Sequence, residues 1–374
     1  MAAPSMGSTP AMKEKFEALN AFRGLAAACV AVDHLSDYLG FKPVPRADIA
    51  VDLFFLLSGF VVAYSYEEKL ARGLTVTEFM LVRWVRLYPL YFVSLLLAVG
   101  MTLTGVLVHH RHPLEYDLEY IAAAVAAVFV LPMHVADTSM CFPFNTSYWT
   151  LFYEFLNNFV FAAVRPLLTT QRLACLVTAA AVVLALIAHR NGEAGVGLGQ
   201  FWSWLSVSGG FARSIFGFFG GVLLSRIRTR LPAAWLGRGY VLPTVIIATL
   251  FLTPLIGPWD WVIQILAVVV VFPLCIARVV CNPQPDVPRA LRTIGVASYP
   301  LYLLHLPLAH GLDLLTHKQL THFAPFGGIG LLMLIFTAAV LAARHVDPPL
   351  RRAVGAVVFN RTLIPALKPS IYPG

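Results

Sequence analysis

Formal charge is scarce in this chain. Asp, Glu, Lys and Arg make up only 12% of its 374 residues, whereas hydrophobic types make up 59%. A soluble fold of this length needs far more polar surface, and the mean hydropathy of +0.76 marks a polytopic membrane protein instead. The cysteines form no CxxC or zinc-like pattern. There are five, Cys29, Cys141, Cys175, Cys275 and Cys281, so neither a structural disulfide nor a metal site is expected. No linker announces a second domain, no internal repeat is visible, and no cleavable signal peptide stands out. The net charge of +8 does not point to nucleic acid. The excess lies in short segments between apolar runs, where the positive-inside rule expects it.

What is present is a series of apolar runs long enough to span. They lie near 16–38, 50–66, 84–108, 147–168, 173–189, 201–225, 238–256, 259–280, 291–311 and 326–345. A shorter apolar piece, Tyr120 to Leu131, suits a re-entrant or interfacial helix. Loop charge supports that choice. With 120–131 not spanning, Lys13, Lys15 and the arginine clusters after spans two, four, six, eight and ten fall on one side. The expected fold is therefore an all-α transmembrane helical bundle of about ten spans, with both termini cytoplasmic. Residues 1–12 read as a disordered tail, 13–352 as one membrane domain, and 353–374 as a cytoplasmic tail.

Ionisable residues inside apolar spans are costly and mark candidate chemistry. Arg23 and His34 lie eleven positions apart in the first span. That spacing returns to nearly one helix face, roughly 16 Å further along the axis. A neutral His34 can take a proton from a hydroxyl, although a histidine bonded within the bundle and a snorkelling arginine explain the same residues. Asp33 points about 100° away from its neighbour His34 and is poorly set to orient the imidazole. Arg83 and Arg86, at i and i+3, can hold a phosphate, or equally serve as a positive-inside pair on lipid headgroups. Glu154 enters an apolar span after Trp149 and Tyr153. Such a carboxylate needs a partner, and His34 lies at a comparable depth. The two aromatics also suit a membrane interface. Asp52 opens the second span, where the Ser58-Gly59 pair permits close helix packing. Ser58 has no neighbouring base or elbow signature and is not read as a nucleophile. His305, deep in the ninth span, either contacts substrate or bridges helices.

In order along the chain, these elements resemble the acyltransferase-3 family of integral-membrane sugar O-acyltransferases, from about Leu19 to Arg352. Arg23 and His34 match the family's R/K-x10-H motif, VDLFFLLSGF its second-helix signature, and RWVRLYP its RxxR motif. YWTLFYE is similar to its WSLxxE segment, SYPLYLLHLP to its SYxxYLxHxP segment, and the DPPLRR ending to its acidic-Pro-x-x-Arg ending. Three positions depart from the pattern. Glu154 is followed by Phe155 rather than a second acid, Thr150 stands for serine, and Asp347 for glutamate.

The resemblance implies acyl-CoA, most often acetyl-CoA, as donor substrate and a carbohydrate hydroxyl as acceptor, with no tightly bound cofactor. It also implies a bacterial inner membrane. On that footing Arg83 and Arg86 hold donor phosphates, Arg23 lines the donor passage, His34 acts as base, and Glu154 positions His34 or the acceptor. Asp52, Trp149, Tyr153 and His305 are candidates for substrate contact. Direct transfer and an acyl-enzyme both remain open. A rival class is a transporter, because buried Arg, His and Glu also build solute and proton pathways. No matched pair of broken helices favours it. A non-catalytic partner in polysaccharide export is the third class, and the full set of polar motifs argues against it.

Overall fold

The computed structural model describes residues 17–109, 114–232, 237–282, 287–316 and 319–362. The stretches 1–12 and 363–374, expected as tails, and the His110–His112 loop lie outside these residues. The apolar runs become helices: α1 (Glu17–His34), α2 (Ala50–Ala71), α3 (Val76–His109), α4 (Leu114–Val128), α5 (Tyr148–Val164), α6 (Thr170–Asn191) and α7 (Trp204–Ile227). They continue with α8 (Val241–Leu252), α9 (Asp260–Leu266), α10 (Phe272–Val280), α11 (Arg289–Leu315), α12 (Phe326–Leu341) and α13 (Asp347–Thr362). A π-helical turn joins α9 to α10 and another joins α12 to α13. The Thr169 and Ser203 side chains cap α6 and α7 by accepting from backbone N–H groups three residues on. Pro89 lies within α3, and Pro300 and Pro307 within α11, a placement that membrane helices tolerate. Because α13 runs to Thr362, the segment expected as a tail from residue 353 begins as helix.

Among the described residues, six helical segments are long and apolar enough to cross a membrane: Ala47–Ala71, Val76–Thr104, Thr170–Asn191, Trp204–Arg230, Gly257–Val280 and Phe326–Phe359. The expected count of about ten is not reached by this measure. α1 carries Glu17, Arg23 and Asp33 within 18 residues. α5 has 17 residues and α8 only 12. An apolar run in sequence is thus a looser criterion than an apolar helix of spanning length.

Glycines set two close crossings. A side chain at Gly59 of α2 would land on the Phe218 backbone of α7, and one at Gly221 on the backbone of Leu56 and Phe60. Between α1 and α11, a Cβ at Gly24 would come 2.8 Å from the Gly295 nitrogen, and one at Gly295 2.6 Å from the Asn20 oxygen. Small residues let these backbones approach as they do in membrane bundles generally.

Loop contacts sort the bundle into two ends. At one end Arg226 pairs with Glu67 and donates to the Leu168 carbonyl, while Cys281 reaches the Arg228 carbonyl. Arginine-bearing connections therefore meet there. At the other end Arg46 pairs with buried Asp260 and donates to the Thr253 carbonyl, and Gln264 receives the Val196 N–H. α4 is the expected short helix. Its last carbonyls, Ala127 and Val128, accept from the Tyr91 and Tyr88 hydroxyls within α3. These bonds satisfy a helix end that stops part-way along its neighbour. Leu118, Ile121 and Val125 of α4 point outward.

Candidate functional site

The glycine crossing brings the polar residues of α1 and α11 together at two levels. Near the arginine-rich end, Arg23 Nη2 donates to Ser298 Oγ at 3.1 Å, and Ser298 Oγ donates in turn to the Gly295 carbonyl. Near the other end, His34 Nδ1 lies 2.8 Å from His305 Nε2, with the rings stacked at 25°. His305 Nδ1 lies 3.1 Å from the Leu301 carbonyl oxygen. His305 is fully buried, whereas His34 is exposed. The same α1 thus carries one polar junction towards each end of the bundle.

A cavity of about 370 Å³ occupies the arginine-rich side. Four arginines line it, Arg23, Arg83, Arg86 and Arg351, against two carboxylates, Glu154 and Asp347. The walls therefore hold a surplus of two positive charges, an arrangement suited to an anion. The i, i+3 spacing of Arg83 and Arg86 does bring both to one wall, but they are differently committed. Arg83 Nη2 donates to Glu154 Oε1 at 2.7 Å, and its Nε is buried without a partner among the described residues. Glu154 also accepts from Ser58 Oγ at 2.5 Å and from Asn158 Nδ2 at 2.9 Å. Arg351 pairs with Asp347 one turn away, at 2.5 Å. Arg86 makes no hydrogen bond or ion pair among the described residues, and Arg23 bonds only the Ser298 hydroxyl. Arg23 and Arg86 are thus the cations in this wall without a carboxylate.

Tyr302 lines this cavity and also a smaller one of about 20 Å³. The Tyr302 hydroxyl accepts from Thr150 Oγ1 at 3.0 Å and donates to the Ser147 carbonyl at 3.3 Å. His34, Asp48, Ser147, Trp149 and Gln200 stand in the smaller cavity's wall. Ser147 is 1% exposed, and its hydroxyl has no partner among the described residues. The loops that form this wall are held by Arg213. It pairs with Asp52 at 2.8 Å, donates to the Asp48 and Leu198 carbonyls, and lies over the Trp149 ring. Asp33 pairs with Lys42 at 3.0 Å, away from the His34 imidazole. On the far side of Trp149, an aromatic cavity of about 440 Å³ is lined by Tyr153, Trp202 and Phe211 among others. Cys141 lies there too, and burial pushes its thiol up to about 11. It is therefore a thiol rather than a thiolate at neutral pH.

Of the sequence candidates, Arg23, Arg83, Arg86 and Glu154 gather in the arginine-lined cavity, and His34 meets His305. Glu154 does not reach His34. Its carboxylate is taken by Arg83, Ser58 and Asn158, so the idea that it orients the imidazole is corrected by this geometry. Asp52 is sequestered by Arg213 and presents no free carboxylate to a ligand. Trp149 separates the small polar cavity from the aromatic one, and Tyr153 faces the latter. Sequence reasoning missed Arg213, although the rule that singled out Arg23, an arginine inside an apolar run, applies equally to it. Ser147 had no such signal, because a hydroxyl beside a span is common.

The family model described as "Acyltransferase domain" matches residues 16–344. "Protein 2 in picA locus" of Rhizobium radiobacter is 34% identical over 185 residues, which cover 47% of this chain and 95% of that protein. "Exopolysaccharide production protein ExoZ" of Rhizobium meliloti (strain 1021) is 31% identical over 112 residues. These cover 30% of this chain and 32% of that protein. The match therefore spans nearly all of the first relative and about a third of the second. No solved structure matches.

Proposed function

The chain belongs to the acyltransferase-3 family, and from that premise we propose that it moves an acyl group, acetyl above all, from acyl-CoA to a hydroxyl of an exported carbohydrate. The observation that carries this reading is the division of labour along α1. Arg23, without a carboxylate partner, stands in a cavity with surplus positive charge, and His34 stands about three turns away beside His305. Donor phosphates bind Arg86 and Arg23, while Arg83 is held in the same wall by Glu154. The cavity opens to the cytoplasm of a bacterial inner membrane, where acyl-CoA is made, and the side bearing the arginine clusters supports that orientation. A relative named for exopolysaccharide production supports a carbohydrate acceptor.

In the reaction, the acceptor O–H bond breaks and its proton goes to His34. The alkoxide oxygen forms the new ester bond to the acyl carbon, the thioester C–S bond breaks, and the proton passes to the departing sulfur. Transfer is direct. No Ser, Thr or Cys side chain hydrogen-bonds His34 among the described residues, as an activated acyl carrier would.

The test uses purified protein in lipid vesicles with radiolabelled acetyl-CoA and a mixed pool of cell-envelope glycans. Label is expected in glycan with the unmodified chain and not with His34→Ala, which should still insert. Equal labelling by both proteins removes His34 from the reaction. Solute uptake without donor turnover replaces the transferase by a transporter.

A further inference from the structure

His305 has so far only a position, fully buried on α11 at the inner edge of His34. Its hydrogen bonds decide more than that. A backbone carbonyl can only accept, so the 3.1 Å contact to the Leu301 oxygen requires the proton of His305 to sit on Nδ1. In a neutral ring, Nε2 of His305 is then a bare acceptor. It faces His34 Nδ1 at 2.8 Å, and two lone pairs cannot share that distance favourably. The intervening proton must therefore belong to His34 Nδ1. This leaves the lone pair of His34 on Nε2, on a ring that lines the small cavity with Ser147 and Gln200. A second proton on the buried ring would make it a cation and break this order at a high desolvation cost, which keeps His305 neutral.

We infer that His305 is a positioning residue: anchored by the Leu301 carbonyl, it holds His34 as the Nδ1–H tautomer and so reserves Nε2 as the proton acceptor. The inference deepens the reading of His34 as base and takes its catalytic meaning from it. It assigns His305 a task distinct from substrate contact. It also supplies the orienting partner that neither Asp33 nor Glu154 provides, since Lys42 and Arg83 occupy those carboxylates.

The test is solid-state NMR of the full chain, labelled with 13C,15N-histidine and reconstituted in lipid vesicles near pH 8. His34 is assigned by the signal lost in His34→Asn. The unmodified protein should show His34 protonated at Nδ1. His305→Leu removes the acceptor, and His34 should move towards the ordinary Nε2–H form. His305→Gln, whose amide can donate to the Leu301 carbonyl and accept from His34, should keep the Nδ1–H form. In glycan labelling, His305→Leu should lower kcat at least about tenfold, and by up to about 10⁴-fold if the base is left wholly in the wrong tautomer. Acceptor KM should stay within about twofold, and His305→Gln should recover much of the rate. A His34 protonated at Nε2 in the unmodified protein overturns the inference, as does a His34 tautomer indifferent to His305→Leu. If the tautomer is as stated but no glycan is labelled, the transferase reading fails while the assignment of His305 as the group fixing the ring stands.

Discussion

Because Arg86 meets no acid among the described residues, Arg86→Ala should raise donor KM about tenfold or more while barely moving the melting temperature. Arg83→Ala should do the reverse in emphasis. It strands Glu154, whose side chain is 15% exposed, and removing one partner of a buried pair costs about 3–5 kcal/mol. Donor titration and thermal unfolding in detergent, measured on both variants, separate the two roles. The i, i+3 spacing made it legible that these arginines share a face. It carried no information on which carboxylate lies opposite, because Glu154 is 71 positions away on another helix. The same gap explains Asp52. An acid at the start of a span reads as a ligand candidate until its partner Arg213, 161 positions on, is in place. Asp52→Asn should therefore destabilise the protein by about 3 kcal/mol or more, and Asp52→Leu combined with Arg213→Met should recover much of that loss. Recovery of the melting temperature by the double variant is the outcome expected of a structural pair. A ligand-binding Asp52 would lose donor or acceptor affinity in both proteins.

Among elements, the α2–α7 crossing offers a matched comparison. A methyl at Gly59 collides with the Phe218 backbone, whereas one at Gly220 of α7 meets the Leu56 Cδ1 at 3.4 Å and the Val177 Cγ1 at 3.9 Å, both at ordinary contact distance. Gly59→Ala should lower the melting temperature sharply and Gly220→Ala hardly at all, in the same thermal assay. The Ser58-Gly59 pair announced close packing in the sequence, but which glycines of α7 answer it depends on the crossing point. α4 was legible for a related reason. Twelve apolar residues are too few to span, and the structure ends this helix against the Tyr88 and Tyr91 hydroxyls. The span count was less legible. Hydropathy in α1 and α11 is diluted by the same Arg23, Asp33 and His305 that make them interesting, so function and the spanning signal compete within one helix.

For the whole molecule, the two ends make a topological prediction. In a chain stripped of native cysteines, Arg72→Cys and Arg230→Cys should react with an impermeant thiol reagent from one side of the membrane. Phe41→Cys and Leu255→Cys should react only from the other. Labelling of all four from one side would refute the division into ends that the loop contacts describe. The glycine-locked contact of α1 with α11 also gives the molecule a fixed measure. Eleven residues of helix hold Arg23 and His34 roughly 16 Å apart, and the crossing at Gly24 and Gly295 fixes where that interval sits against α11. α1 is in effect a ruler. A donor whose charged head is gripped at one mark presents its reactive carbon at the other only if the arm between them has matching reach. On the proposed reaction, selectivity for the donor is then a matter of length as much as of charge, and a truncated thioester would carry the right acyl group to the wrong depth.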